Sequence, residues 1–187
     1  MKEIILLGCG PTHVECPYDK ETWSVGSAYK FAKRLDRLFF FDDIKHCCTE
    51  NPQHFDMEEL KLLNKHVPYM ASKKYDEFQN LTLYPLEEVV KKFQSRFFAN
   101  SVCYMIALAL HEEYEAIWLY GIDHISYPEY VLAKGCVEYW MGRAEERIGV
   151  KNLHIPEGSA LCKTQDGKLY GYDGVDIKDA ETISIFY

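Results

Sequence analysis

Four short polar turns hold the residues best suited to chemistry. Gly8-Cys9-Gly10-Pro11-Thr12 follows an apolar run, Ile4 to Leu7. Its glycines let the backbone bend tightly and approach a ligand, so free amide N–H groups could cradle a phosphate there; the same turn could also be a plain exit from a strand. Neither a GxGxxG fingerprint nor a P-loop is present. Asn100-Ser101 opens a strongly apolar helical stretch, where free N–H groups and the helix dipole favour an anion, although Ser101 could simply cap its own helix. Gly121-Ile122-Asp123-His124 puts a carboxylate beside an imidazole. Asp123 could accept bonds from ribose hydroxyls, hold a metal, steer His124, or cap the next helix. Val25-Gly26-Ser27 is the fourth turn.

Other clusters point elsewhere. His46, Cys47, Cys48 and His54 invite a zinc reading, but no CxxC or HxxxH spacing supports it, and no metal site is expected. Lys73-Lys74 and Lys91-Lys92 with Arg96 read as solvated faces. Tyr127, Tyr130 and Tyr139 flank the Gly121 turn and could bond or stack on a ligand, or pack.

The elements that must position these turns alternate. Apolar runs predict strands at Ile4–Leu7, Thr22–Val25, Arg37–Phe41, Val67–Met70, Leu81–Tyr84, Ala116–Tyr120 and Val150–Ile155. Helical spacing predicts helices at Ser27–Leu35 (capped by Ser27), Asp56–Lys65, Pro85–Phe93, Ser101–Tyr114 and Pro128–Ile148. The end, Ile183–Tyr187, reads as a surface arm or a closing strand. This alternation predicts an α/β, Rossmann-like three-layer sandwich with a mostly parallel central sheet. Ligands of such sheets sit beyond the carboxyl ends of the strands, where all four turns collect. The expected division is a nucleotide-binding domain over residues 1–165 and an arm or edge strand over 166–187.

Composition narrows the function. The chain has 187 residues, 48% hydrophobic and 27% charged, which is ordinary globular usage. Its net charge of −8 argues against a nucleic-acid binder, which needs a basic face. Residues 1–100 carry 15 acids and 14 bases, whereas residues 101–187 carry 14 and 7. An anionic ligand should therefore rely on the N-terminal half or on backbone amides. Seven cysteines with no CxxC pair read as reduced thiols, and the opening apolar run is too short for a signal peptide. The expectation is a soluble, cytoplasmic protein, without membrane or nucleic-acid partners and open to homo-oligomerisation.

The order of the motifs is more specific than any one of them. The Gly-Pro turn, then WSVGSAYKF, FANSVCYMIALAL, AIWLYGID and LHIPEGSALCK, resemble one group across about residues 3–165, most strongly at 95–125 and 150–162. The chain resembles the Rossmann-like family of bacterial sialyltransferases and hydroxymethyl-dihydropterin diphosphokinase-like proteins, and looks closest to small phage-encoded relatives, which would put it in a host cytoplasm.

The resemblance implies a nucleotide or nucleotide-sugar pocket lined by Gly8, Cys9, Gly10, Pro11, Thr12, Gly26, Ser27, Asn100, Ser101 and Asp123, closed by the turn carrying Ser159. It implies a glycosyltransferase-like activity that requires no metal or other cofactor. The family's turn has an asparagine where this chain has Cys9, and another near Gly26. Its lid carries a base histidine and phosphate-binding tyrosines, for which His124, Tyr127 and Tyr130 are the nearest candidates; His124 and Asp123 are the expected catalytic pair. Two alternatives stand beside this: a non-catalytic phage protein that sequesters a nucleotide-derived host defence signal, and an ATP-dependent diphosphotransferase using Asp42, Asp43 and Asp123 around Mg²⁺.

Overall fold

The computed structural model describes residues 1–124, 128–163, 171 and 184–186, with backbone only for 128–132 and 184–186. Among these residues eight parallel strands form one sheet: β1 (Glu3–Leu7), β2 (Glu21–Val25), β3 (Arg37–Phe40), β4 (Tyr69–Ala71), β5 (Leu81–Leu83), β6 (Ala116–Tyr120), β7 (Leu153–Pro156) and β8 (Ser184–Phe186). Their order is β5-β4-β3-β2-β1-β6-β7-β8. The chain therefore builds outward from β1 in one direction, then returns to its other side and builds outward again. β1 and β6 meet in register from Glu3 opposite Ala116 to Leu7 opposite Tyr120. Loops leaving two such neighbours depart in opposite directions and leave a crevice between them.

The strands are continuous apolar runs because both faces of the sheet are covered. Successive side chains alternate between faces. Ile4, Leu6, Trp23, Phe39, Ile117 and Leu119 join one core with α3 (Leu86–Phe93), α4 (Ser101–His111) and α5 (Pro128–Ile148). Ile5, Leu7 and Tyr120 face the other side, under Ala28 of a 3-10 turn at Gly26–Lys30. Leu38, Phe40 and Tyr69 continue that face under α1 (Ile44–Glu50) and α2 (Met57–Asn64). The three-layer α/β reading of the sequence holds. No helix among the described residues is long and apolar enough to cross a membrane.

Local departures have identifiable causes. The helix expected at Ser27–Leu35 is only the Gly26–Lys30 turn, and Val25 precedes it without a side-chain cap, so Ser27 does not cap a helix. α1 was not expected; Asp43 nucleates it by accepting from the N–H groups of Lys45 and His46. Val150–Asn152 forms a 3-10 turn, so β7 begins three residues late.

α4 leads directly into β6, so its N-terminus lies at the carboxyl edge of the sheet. Phe41 and Tyr84, just past β3 and β5, both pack on Tyr104 in its first turn. A column of stacked rings continues from there. Phe41 meets Tyr104 at 4.3 Å, Tyr104 meets Phe98 at 4.4 Å, and Phe98 meets Trp140 of α5 at 4.9 Å between centroids. Trp140 Nε1 also donates to the Phe97 carbonyl at 2.7 Å, pinning the segment that delivers Asn100 to the helix start. Trp140 is fully buried. Trp140→Ala is expected to cost about 3–5 kcal/mol of stability. Trp140→Phe, which keeps a ring but leaves the Phe97 carbonyl only the weak Cys136 thiol donor at 3.3 Å, should cost about 1–3 kcal/mol. Urea unfolding of both variants, with unchanged m-value, checks this order.

Candidate functional site

The carboxyl ends of β1 and β6 are locked together. Gly8 N–H donates to the Tyr120 carbonyl at 2.8 Å, and Gly10 N–H to the Gly121 carbonyl at 2.7 Å. Thr12 N–H donates to Asp123 Oδ2 at 2.8 Å. The Thr12 hydroxyl donates to Asp123 Oδ1 at 2.5 Å while accepting from Gly121 N–H at 2.8 Å. Asp123 is only 2% exposed and Thr12 4%. A buried carboxylate costs several kcal/mol unless its oxygens are paired, and Thr12 supplies both partners.

Glycine is required at this seam because the two backbones nearly touch. A Cβ on Gly8 would collide with the Gly121 carbonyl oxygen, and one on Gly10 with Asp123 Oδ2, standing also 2.9 Å from the Gly121 carbonyl. Gly121 adds a left-handed φ of +66°.

These contacts correct two expectations about mechanism. The first-turn amides do not form an open cradle: those of Gly8, Gly10 and Thr12 are spent inside the protein, and Pro11 has none. Of the amides of Gly8–Thr12, only that of Cys9 makes no hydrogen bond among the described residues. Asp123 presents its carboxylate to Thr12 and holds the seam, rather than offering free oxygens to a ribose.

The remaining candidates divide into a wall and a support. Cys9 is exposed, with its Sγ 3.4 Å from Ser27 Oγ and 3.8 Å from the Val25 carbonyl. Gly26 turns that corner with a left-handed φ of +61°. Asn100, not Ser101, is the N-cap of α4, accepting from Cys103 N–H at 3.1 Å. Ser101 is the first helical residue and half-exposed, so its hydroxyl is not consumed by the cap. Ser159, 3% exposed, supports the seam: its hydroxyl donates to the Ile122 carbonyl at 3.1 Å, and Ala160 N–H donates to the Asp123 carbonyl at 3.1 Å. His124 is half-buried with a left-handed φ of 51°. Tyr127 and the side chain of Tyr130 lie outside the described residues.

Sequence reasoning missed His13. It follows Pro11 and Thr12 in a 3-10 turn, Pro11–Glu15, with proline at the first position. Its Nδ1 lies 2.8 Å from the Gly10 carbonyl, and its ring packs on Phe31 at 4.2 Å. A lone histidine in a polar loop carries no pattern; the fixed offset from a Gly-Pro turn was the available signal.

Two other features lie apart. Among the described residues no three His, Cys, Asp or Glu side chains gather as a metal-binding group. Asp43 pairs with Lys73 at 2.7 Å, and Cys47 and Cys48 pack beneath the sheet. A hollow of about 330 Å³, lined by residues including Met1, Tyr114 and Asn152, lies at the opposite edge, since these precede β1, β6 and β7.

No protein-family model matches the sequence, and no curated protein matches it. Solved structures do. The chain is similar to the sialyltransferase CstII from Campylobacter jejuni in complex with cytidine-5′-monophosphate, with a TM-score of 0.52 and 20% identity, covering 83% of this chain and 79% of that one. The same enzyme with CMP-3FNeuAc gives 0.53 and 21%, covering 83% and 80%. A mutant of this α-2,3/8-sialyltransferase gives 0.52 and 18%, covering 82% and 81%. This likeness establishes a sialyltransferase-like fold.

Asp123→Asn is expected to destabilise the protein by about 2–4 kcal/mol, because an amide cannot accept from both Thr12 donors. Gly10→Ala should be at least as damaging. Chemical denaturation distinguishes this structural role from a purely ligand-binding one, under which folding of the ligand-free protein would be unchanged.

Proposed function

We propose that the carboxyl edge of the sheet binds a nucleotide sugar and that the chain is a glycosyltransferase-like protein. The observation that carries this reading is the likeness, over 83% of the chain, to a fold whose solved complexes hold cytidine-5′-monophosphate or CMP-3FNeuAc. The crevice at the switch point between β1 and β6 supports it. So does the start of α4, where N–H groups and the Ser101 hydroxyl favour phosphate without side-chain charge. Cys9 N–H and Ser27 Oγ supply the facing wall. Gly8, Gly10, Pro11, Thr12, Gly26, Asp123 and Ser159 shape the site rather than contact the ligand through free polar atoms.

In this reading an acceptor hydroxyl attacks the sugar's anomeric carbon while His124 takes its proton. The bond to the phosphate oxygen breaks, its electron pair leaves with the nucleotide, and the α4 N-terminus stabilises the growing charge. No metal is required. The seven free thiols support work in a reducing cytoplasm, that of the host if the chain is phage-encoded.

A second reading, non-catalytic capture of a nucleotide-derived signal, draws support from Cys9, which stands where the sialyltransferase turn has an asparagine, and from Asp123, committed to Thr12. Diphosphate transfer has less support, since Asp43 and Asp123 are bonded to different partners.

Calorimetry with cytidine-5′-monophosphate is expected to detect binding that Ser101→Ala weakens about tenfold, while leaving stability within about 0.5 kcal/mol. With CMP-sialic acid and a panel of sugar acceptors, His124→Asn should lower turnover about a hundredfold at nearly unchanged nucleotide affinity. Binding without turnover in the unmutated protein would select the capture reading; absence of binding would defeat both.

A further inference from the structure

The ribose hydroxyls of a nucleotide seek acceptors, and the carboxylate expected to provide one is only 2% exposed. Both oxygens of Asp123 receive hydrogen bonds from Thr12 inside the seam. A different acceptor stands at the same strand ends. His13 Nδ1 lies 2.8 Å from the Gly10 carbonyl oxygen. A carbonyl has no proton to give, so Nδ1 must carry the hydrogen and donate it. In the neutral ring that choice leaves Nε2 with a bare lone pair. Nε2 has no hydrogen-bond partner among the described residues and is not among the buried unpaired atoms, so it reaches the surface as an acceptor.

The ring is also held in place. Phe31 packs on it with a centroid distance of 4.2 Å and a tilt of 36°. A side chain at Gly121 would stand 3.1 Å from His13 Cβ, so the glycine that permits the β1–β6 seam also lets His13 approach it. The carbonyl contact thus fixes one tautomer and Phe31 holds the ring, in the turn that follows β1 at the carboxyl edge of the sheet. A histidine that only filled space would need none of this tautomer control.

We propose that His13 is a ligand-contacting residue whose Nε2 accepts a hydrogen bond from a ribose hydroxyl of the bound nucleotide. The proposal rests on the nucleotide-site reading above and assigns the ribose recognition that Asp123 cannot supply. It gives His13 a role separate from proton removal by His124.

The test uses the full chain with cytidine-5′-monophosphate and its 2′,3′-dideoxy analogue, under conditions where imidazoles are neutral. Nitrogen-15 imidazole spectra of the free protein should show His13 protonated at Nδ1, and cytidine-5′-monophosphate, but not the analogue, should shift its Nε2 resonance. In calorimetry the unmutated protein should prefer the ribonucleotide about tenfold, the scale of one hydrogen bond. His13→Asn keeps an N–H able to reach the Gly10 carbonyl and has nothing at the Nε2 position. It should erase that preference while binding the dideoxy analogue as the unmutated protein does. Equal weakening toward both nucleotides, or an Nε2-protonated ring, would overturn the proposal and leave His13 structural. If His13→Asn fails to fold, the spectra of the unmutated protein decide alone. If neither nucleotide binds the unmutated protein, the nucleotide-site reading fails, and the ribose contact with it.

Discussion

The structure depends on one buried carboxylate. Asp123 follows β6, Thr12 follows β1, and the hydrogen bonds between them close the central pair of strands at the edge where every functional candidate lies. An isolated carboxylate at 2% exposure would be strongly disfavoured, so the seam tolerates it only when Thr12 offers both its N–H and its hydroxyl. That requirement fixes the backbone of residues 8–12 and 121–123 together. It also excludes side chains at Gly8, Gly10 and Gly121, because the two backbones touch where a Cβ would stand. The Pro156–Ser159 turn then rests on the closed seam through Ser159 and Ala160.

This constraint separates shape from recognition. Residues that line the seam are spent on one another, and the candidates left to meet a ligand are Cys9 and Ser27, the start of α4, and His13 in the 3-10 turn after β1. The division matches the charge layout, since none of these groups except an imidazole carries a titrating cation. Anion recognition here would rest on oriented N–H groups and a helix end, which act at short range and are less sensitive to salt than exposed lysines.

The sheet was legible because a strand buried on both faces must be apolar throughout, as in Ile4–Leu7 and Ala116–Tyr120. α5 was legible from end to end because twenty-one residues repeat one apolar stripe. α1 was not, since seven mostly polar residues hold too few turns for periodicity, and Asp43, which marks its start, was weighed as a metal ligand. At the site, the turns were found, but their internal bonding was not. Thr12 and Asp123 lie 111 positions apart, and nothing local in either stretch announces that one will consume the other. Asn100 and Ser101 illustrate the same limit over one residue: both can cap, and backbone geometry gives the task to Asn100.

The ring column has an optical consequence. Trp140 ends a stack that runs through Phe98 and Tyr104 to Phe41, while its indole N–H is held by the Phe97 carbonyl. Trp23 and Trp118 lie on strands β2 and β6, outside that stack. Any shift of the Phe97–Ser101 segment acts directly on the hydrogen bond and ring contacts of Trp140. With Trp23 and Trp118 replaced by phenylalanine, Trp140 emission becomes a built-in gauge of movement at the start of α4, read without any attached label.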